Sequence, residues 1–312
     1  MRLVNKYIDV TDALQTAAKT TSQLFRSLAS SSSGKLIPED LTVVIDNHFK
    51  NYSDILNTQN IFINLKIIIS KFIRRTRISN TDDLYILGSI LTDTVERYIK
   101  ENLKFVEEYC RNNLRGVNVL TVPPGSLLNR CIKAARGRVY ATLARITGGS
   151  ARLAHEHKGI TFTPEAYIQG IVRDDVDLIL IQADSVFQQG VYSPPGSLAA
   201  AKAGKEEGVR VVALSMGIAV RPTRIQDLIS GLRESIQVMM EWGEEISVYA
   251  NDAISINDID ELVLGPNSII DLNKTSNIGA RLLRVNSSHV DILSRLLLEN
   301  WGKTALRGIK RS

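Results

Sequence analysis

The sequence predicts an α/β protein in which an N-terminal helical domain precedes a domain built on a mostly parallel sheet. Two observations lead to this fold class. Between residues 119 and 220, short runs rich in β-branched residues end in loops that contain glycine, proline or an acid, and a helical pattern follows each run. Before residue 115, apolar residues recur at steps of three and four. The expected strands are 119–122, 139–143, 160–163, 176–181 and 209–214, most of them nearly continuous apolar runs, as strands buried on both faces should be.

The N-terminal part is expected to hold about four helices. Leu14, Ala17 and Ala18 belong to an apolar stripe, and the serine- and glycine-rich segment 30–34 ends that helix. Pro38, followed by two acids, is typical of a helix start, and the Asn-Thr-Asp-Asp run at 80–83 does the same for a long helix. A change to alternating strands and helices at residues 115–116 divides the chain into predicted domains 1–115 and 116–312.

After residue 220 the sequence predicts a helix, a strand and a final helix. The first helix is expected over residues 225–242, because apolar residues repeat there at helical spacing. These residues are Leu228, Leu232, Ile236 and Met239. A short strand is expected over 245–249. The final helix is expected from Ser287 to about Trp301, with Ser287 or Ser288 as its N-terminal cap.

The composition excludes several classes of protein. No stretch approaches the roughly 18 to 20 continuous apolar residues of a membrane span, and the N-terminus lacks a signal-peptide pattern, so we expect a soluble, cytoplasmic protein. The two cysteines, Cys110 and Cys131, have no metal-type spacing and are too few for a disulfide framework, which agrees with a reducing compartment. Cys131 is expected to be a small core residue. The content of isoleucine, lysine and arginine favours a heat-adapted, thermophilic source.

The charge pattern leaves two interpretations open. A net charge of +5 permits contact with nucleic acid, phosphate ligands or acidic protein surfaces. Basic residues cluster at 74–77 and in the C-terminal tail, at Lys303, Arg307, Lys310 and Arg311. Such clusters are usually solvated helix ends, and the alternative is a nucleic-acid-binding surface.

Familiar cofactor motifs are absent from the sequence. There is no Gly-x-Gly-x-x-Gly fingerprint, no Walker-type loop and no Gly-x-Ser-x-Gly elbow, so dinucleotide, nucleoside-triphosphatase and serine-hydrolase activities lack support. His155 and His157 would point to different faces of a helix, and His48 and His289 are isolated, so they are expected to lie in the core or at the surface. We therefore predict neither a cofactor nor a metal site.

Three strand ends carry residues suited to a ligand, which open α/β sheets bind at that edge. In the first, Pro-Pro-Gly-Ser at 123–126, Gly125 and Ser126 offer N–H groups and a hydroxyl to an anion at a helix N-terminus. Ordinary strand-to-helix punctuation explains this turn equally well. In the second, Arg145 and Arg152 flank a Gly-Gly-Ser helix start and could clamp a phosphate. The alternative there is a glycine loop between two surface arginines.

The third strand end carries an acid. Asp184 follows a run of leucine and isoleucine, a setting whose partial desolvation can raise a carboxyl pKa toward that of a proton donor. A carboxylate that caps a nearby helix or turn is an equally good interpretation. Gly196 and Ser197, in the segment Ser-Pro-Pro-Gly-Ser, open the next helix.

These three segments together resemble a known family. They are Val-Leu-Thr-Val-Pro-Pro-Gly-Ser at 119–126, Thr-Leu-Ala-Arg-Ile-Thr-Gly-Gly-Ser-Ala-Arg-Leu-Ala at 142–154, and Ile-Gln-Ala-Asp-Ser-Val-Phe-Gln-Gln-Gly at 181–190. The family comprises the regulatory alpha, beta and delta subunits of translation initiation factor 2B, their archaeal relatives, and isomerases of methylthioribose 1-phosphate and ribose 1,5-bisphosphate. The resemblance implies an N-terminal helical domain followed by a Rossmann-like domain, a homodimer, and phosphate contacts by Arg145 and Arg152. It also implies ligand contacts at Gly125, Ser126, Asp184, Gly196 and Ser197.

The sequence departs from the isomerase pattern where the chemistry would occur. The position of the catalytic cysteine is taken by Pro123 and Pro124, and the family's Asn-Lys pair is replaced near Ser193 and Pro194. The resemblance therefore implies a non-catalytic, regulatory or scaffolding protein with initiation-factor subunits as partners and a pocket for a phosphorylated sugar or nucleotide. The alternative is an aldose-ketose isomerase of a phosphorylated pentose, with Asp184 as its acid.

Overall fold

The computed structural model describes residues 9–31, 38–50, 59–76, 78, 80–123, 125–143, 149–221, 235–239, 245–249 and 251–309. Its first helices are α1 (Val10–Ser31), α2 (Pro38–Lys50), α3 (Gln59–Thr76) and α4 (Thr81–Asn113). The predicted start of α2 at Pro38 is confirmed. The predicted start of α4 is confirmed too, because the Asn80 side chain accepts a hydrogen bond from the Asp83 N–H at 2.8 Å and so caps the helix.

Strands and helices alternate after residue 118. In chain order they are β1 (Val119–Thr121), α5 (Ser126–Ala134), β2 (Val139–Thr142), α6 (Gly149–Glu156), β3 (Ile160–Thr163), α7 (Ile168–Asp175), β4 (Leu178–Gln182), β5 (Ser185–Val186), β6 (Gly190–Ser193), α8 (Ser197–Glu207) and β7 (Arg210–Leu214). Then follow β8 (Ser235–Met239), β9 (Glu245–Tyr249), β10 (Asp252–Ser255), β11 (Glu261–Val263), β12 (Ile269–Asp271) and α9 (Ile278–Ile309). The five predicted strands are confirmed as β1, β2, β3, β4 and β7.

The main sheet has seven strands in the order β12-β11-β7-β4-β1-β2-β3. Neighbouring strands are parallel except β12, which runs antiparallel to β11. From β1 the chain moves outward through β2 to β3, and from β4 it moves outward in the other direction through β7 to β11. The order therefore reverses between β1 and β4, and in sheets of this kind a crevice for ligands forms there, outside the carboxyl ends of the strands.

The helical part and the sheet share one hydrophobic core. A single cluster of buried residues joins Leu14 of α1, Leu65 of α3 and Tyr98 of α4 to Val119 of β1 and Leu128 of α5. A second cluster lies on the other face of the sheet, under α7 and α8. Because buried strands need apolar side chains on both faces, this packing explains their continuous apolar runs. The division into two domains near residue 115 stays a prediction.

Two predictions for the C-terminal part are wrong. Residues 235–239 of the expected helix form strand β8, which pairs antiparallel with the confirmed strand β9. The rest of that expected helix lies outside the described residues. The final helix begins at Ile278, not at Ser287, because Asn277 caps it by accepting a hydrogen bond from the Ala280 N–H at 3.0 Å. Ser287 and Ser288 therefore lie inside α9 and cap nothing.

The expectation of two reduced cysteines is also wrong. Cys110 near the end of α4 and Cys131 in α5 form a disulfide, with their Cα atoms 5.2 Å apart. Both residues are fully buried, so Cys131 is a core residue as expected. Their separation of 21 residues carries no signal for pairing. The pairing arises because α4 and α5 pack together and both cysteines face the contact.

His289 of α9 is a satisfied core residue, as predicted. Its Nδ1 lies 2.7 Å from the hydroxyl oxygen of Tyr98 in α4, and its Nε2 lies 3.2 Å from the Ser268 hydroxyl. The ring is fully buried. Burial lowers the pKa of His289 from 6.5 to about 4, since the charged imidazolium would be desolvated. His289 therefore stays neutral at physiological pH and ties α9 to α4.

Candidate functional site

The candidate site lies where the strand order reverses, at the carboxyl ends of β1 and β4. The loop after β1 leads through Gly125 to α5, and Asp184 comes two residues after the end of β4. Because β1 and β4 are adjacent and parallel, their carboxyl ends meet at one edge. The structure thus brings together two of the three segments that the sequence indicated.

The N-terminus of α5 is already occupied by a carboxylate of the chain itself. The Oδ2 atom of Asp9 accepts hydrogen bonds from the Ser126 N–H at 2.9 Å and from the Ser126 hydroxyl at 2.6 Å. Its Oδ1 atom accepts hydrogen bonds from the N–H groups of Thr11 and Asp12 and so caps α1. Asp9 is only 4% exposed. A carboxylate of the chain therefore occupies the helix N-terminus at which the sequence predicted a bound phosphate.

Gln182 connects this helix to Asp184. Its side-chain oxygen accepts a hydrogen bond from the Leu127 N–H at 3.1 Å, and its side-chain nitrogen donates to Asp184 Oδ1 at 3.2 Å. Gln182 and Asp184 are both fully buried. A Cβ atom at position 125 would collide with the Gln182 amide, which explains the glycine there. Gln182 thus lies against Gly125 and links Asp184 to Leu127, the residue after Ser126.

The N-terminus of α8 is also occupied by an internal carboxylate. Asp252 Oδ2, at the start of β10, accepts hydrogen bonds from the N–H groups of Gly196 at 2.8 Å and Leu198 at 2.9 Å. Burial raises the pKa of Asp252, and the hydrogen bonds from the backbone of Leu198, Gly196 and Ser197 oppose that shift. Gly196 has φ of 95°, in the left-handed region that favours glycine. The predicted helix start at Gly196 and Ser197 is confirmed.

The two predicted phosphate-binding arginines cannot be placed. Arg145 lies outside the described residues, and Arg152 lies within helix α6, where only its backbone is described. The helix start between them is confirmed, with α6 beginning at Gly149. A phosphate clamp formed by these arginines stays a prediction.

Several buried hydroxyl groups around this edge have no hydrogen-bond partner among the described residues. They belong to Thr121 at the end of β1, Thr142 at the end of β2, Ser193 at the end of β6, and Ser197 at the start of α8. All of them are fully buried. A buried hydroxyl without a partner costs free energy and is usually satisfied by water or a ligand. Polar groups are therefore concentrated at the edge where the fold places a ligand crevice.

The residues predicted from the sequence did not include Asp9, Gln182 and Asp252. Asp9, followed by Thr11 and Asp12, has the composition of a helix cap, which is the one signal that could have found it. Its contact with Ser126 spans 117 residues and has no local signature. Gln182 directly precedes Ala183 and Asp184 at the end of a strand, and its polar side chain after an apolar run could have predicted a role at that strand end.

The described part of the chain contains no group of three or more histidine, cysteine, aspartate or glutamate residues placed to hold a metal ion. None of its helices combines the length and apolar character needed to cross a membrane. Of the basic clusters, Arg74 and Arg75 lie in the last turn of α3. Arg77, Lys310 and Arg311 lie outside the described residues.

The fold is similar to the folds of several solved structures. No family model and no curated protein match the sequence. Translation initiation factor eIF-2B of Pyrococcus horikoshii OT3 has a TM-score of 0.65 at 15% identity, over 85% of this chain and 94% of that one. A chain of the tetrameric eIF2B-beta2-delta2 complex from C. thermophilum has a TM-score of 0.60 at 17% identity, over 88% and 89%. The 5-methylthioribose 1-phosphate isomerase of P. horikoshii OT3 has a TM-score of 0.61 at 14% identity, over 89% and 87%.

The TM-scores establish a shared fold, but identities this low do not establish a shared activity. The resemblance that the three sequence segments indicated is confirmed at that level, because the helical N-terminal part and the mostly parallel sheet have the same arrangement in the solved structures. The chain has the α/β fold common to subunits of translation initiation factor 2B and to 5-methylthioribose 1-phosphate isomerase.

Proposed function

We propose that this chain is a divergent initiation-factor-2B-like protein that lacks catalytic activity and has a regulatory or scaffolding role in the cytoplasm. It pairs with a second copy of itself and with subunits of initiation factor 2B. The resemblance of the motifs, the shared fold, and the tetrameric complex in which one of the similar chains was solved support this proposal.

The observation that carries the proposal is the occupation of two helix N-termini by internal carboxylates. Asp9 takes the donors of Ser126 at α5, and Asp252 takes those of Gly196 and Leu198 at α8. A donor that already binds a carboxylate is not free for a phosphate, and the carboxylate repels a second anion. We therefore expect a sugar phosphate or nucleotide to bind weakly at these helices.

The acid-base chemistry of an isomerase also lacks a partner. The positions that match the catalytic cysteine are Pro123 and Pro124, and proline side chains cannot transfer a proton. Asp184 stands at the position that matches the family's catalytic aspartate, but sugar isomerisation needs a second group to return the proton. This favours a protein that keeps the fold and has lost the reaction.

The test combines an assay of catalysis with an assay of pairing. The purified protein is incubated with methylthioribose 1-phosphate and with ribose 1,5-bisphosphate, and its mass is measured by light scattering, alone and mixed with initiation factor 2B beta and delta subunits. We expect no turnover, a dimer alone, and a larger complex in the mixture. Turnover of either sugar phosphate, or a monomer that binds neither subunit, would contradict the proposal.

The second candidate function is an aldose-ketose isomerase of a phosphorylated pentose. Asp184 favours it, since this carboxyl is fully buried at the carboxyl end of the central strand β4 and accepts a hydrogen bond from Gln182. In this mechanism Asp184 moves the proton, and Arg145 and Arg152 hold the phosphate. Asp184→Asn should then abolish turnover, with Asp174→Asn on the exposed end of α7 as the control. Turnover that survives in Asp184→Asn would exclude this mechanism.

A further inference from the structure

Helix α5 is attached to the N-terminal helices at two points. The disulfide between Cys110 and Cys131 joins it to α4. At its N-terminus, the carboxylate of Asp9, which precedes α1, binds the N–H and the hydroxyl of Ser126. The Thr11 hydroxyl adds a hydrogen bond to the Ser126 hydroxyl at 2.8 Å. One attachment is covalent and the other is a charge-assisted set of hydrogen bonds.

The same helix supports the candidate site. The Leu127 N–H donates to the Gln182 side chain, and Gln182 donates to Asp184. A movement of α5 away from α4 would therefore separate Leu127 from Gln182 and remove one of the contacts that orient Asp184. The position of the candidate ligand loop, which ends at Gly125 and Ser126, depends on the position of α5.

We propose that the Cys110–Cys131 disulfide is a redox-controlled cross-link that holds α5, and with it the loop at Gly125 and Ser126, against the N-terminal helices. This inference rests on the cytoplasmic location given under the proposed function, because a disulfide in a reducing compartment is usually transient or regulatory instead of permanent. The reductant is a dithiol: one of its thiolates attacks a sulfur of the pair, forms a mixed disulfide with it and displaces the other cysteine as a thiolate. The second thiolate of the dithiol then displaces the first cysteine from the mixed disulfide. The dithiol becomes a disulfide, and Cys110 and Cys131 each gain one electron and one proton.

Access to the sulfur atoms couples the cross-link to the Asp9 contact. Cys110 and Cys131 are fully buried in the core that α4 and α5 share. An attacking thiolate must reach the disulfide in line, so reduction requires that α5 first moves away from α4. The Asp9 contact with Ser126 opposes that movement at the other end of the helix segment. Weakening this contact should therefore accelerate reduction without any change at the cysteines.

The first experiment measures the rate of reduction by dithiothreitol in the folded protein, with free thiols counted by maleimide labelling and mass spectrometry. The variants are Asp9→Asn, the milder Ser126→Ala, and the surface control Asp174→Asn. We expect reduction to be about tenfold faster in Asp9→Asn, because one charge-assisted contact is lost. A smaller acceleration is expected in Ser126→Ala and none in the control. Equal rates in all four proteins would overturn the coupling.

The second experiment measures hydrogen exchange of the backbone amides of α5 in oxidised protein, in reduced protein and in the double variant Cys110→Ser with Cys131→Ser. Exchange in α5 should rise roughly 100-fold when the cross-link is absent, while β4 and β7 stay protected. Unchanged exchange in α5, or two free thiols after treatment with oxidised glutathione, would overturn the proposal. Neither readout involves a sugar phosphate or a partner subunit, so its failure is distinct from a failure of the proposed function.

Discussion

Helices α5 and α8 begin at the same edge of the sheet, and a carboxylate from a distant segment binds the first N–H groups of each. The source of that carboxylate differs. Asp9 reaches Ser126 of α5 across 117 residues and also caps its own helix, α1. Asp252 reaches the start of α8 from strand β10, inside the α/β part of the chain. Asp9 is almost completely buried, whereas Asp252 is partly exposed.

This difference shows that the N-terminal segment contacts one of the two helix starts at the candidate site and not the other. The start of α5, where a ligand loop would lie, is held in place by α1 and α4. The start of α8 is held locally, and α8 is further tied by an ion pair between Lys202 and Asp258 with 2.9 Å between their charged atoms. The two helix starts should therefore respond differently when their carboxylates are removed.

The largest effect is expected from Asp9→Ala. This substitution removes the cap of α1 and the contact with Ser126 together, and it leaves buried N–H donors without an acceptor. We expect the free energy of unfolding to fall by about 3 kcal/mol, since helix caps and charge-assisted hydrogen bonds each contribute roughly 1 to 2 kcal/mol. Urea unfolding of the oxidised protein at about pH 7 measures the change.

Two controls sharpen this result. Asp9→Asn keeps an oxygen that can accept the hydrogen bonds and should lose about half as much. Asp174→Asn, on an exposed surface pair, should be close to neutral. If Asp9→Ala proved no more destabilising than Asp252→Ala, the contrast between the two helix starts would be wrong.

The second-largest effect is expected from the buried ring of His289, which makes the stability of the protein depend on pH. His289 has a pKa of about 4 in the folded protein and 6.5 as its ordinary value, because burial disfavours the charged ring. Its folded pKa is the lower one, so between pH 6.5 and 4 the unfolded state binds the proton and the folded state does not. The free energy of unfolding therefore keeps its full value above pH 6.5 and should fall by about 2 kcal/mol by about pH 5.

The measurement is urea unfolding of the wild type and of His289→Gln across this range. The variant loses the titrating ring, so the slope of its unfolding free energy against pH should be smaller by the contribution of one proton. Equal slopes in both proteins would show that the acid sensitivity originates elsewhere. The comparison of Asp9→Ala with Asp252→Ala belongs above pH 6.5, where His289 is neutral in both states.

The parts of the fold that were predictable from the sequence are those with a local signature. β1, β4 and β7 are apolar runs because both faces of a central parallel strand are buried, and each strand was found within one or two residues. β8 was mistaken for a helix because Ile236 and Met239 fit helical spacing with Leu228 and Leu232, whereas Ile236 and Val238 fit strand alternation equally well.

The parts that were not predictable depend on contacts between distant segments. Gly125 and Ser126 were recognised as a helix start that suits an anion, but no local pattern indicates that Asp9 would supply it. The disulfide has the same origin, since Cys110 and Cys131 pair only because α4 and α5 pack together. The sequence thus predicted the edge of the sheet where the candidate site lies, and the structure showed which groups of the chain meet there.

The smallest effect is expected from Asp252→Ala. Burial is the largest influence on the pKa of Asp252 and raises it from 3.8, so desolvation of the carboxylate outweighs its hydrogen bonds to the start of α8. Removing the group relieves that cost, and we expect the free energy of unfolding to fall by only about 1 kcal/mol at neutral pH.

Because the folded pKa of Asp252 is the higher one, the cost of the charge is absent below pH 3.8 and develops as the pH rises through the folded pKa. Asp252→Asn, which accepts hydrogen bonds without a charge, should therefore gain stability relative to the wild type as the pH rises from about 4 to neutral. Unfolding free energies of both proteins across that range measure this difference, and a difference that did not change with pH would show that the carboxylate of Asp252 is not desolvated at the start of α8.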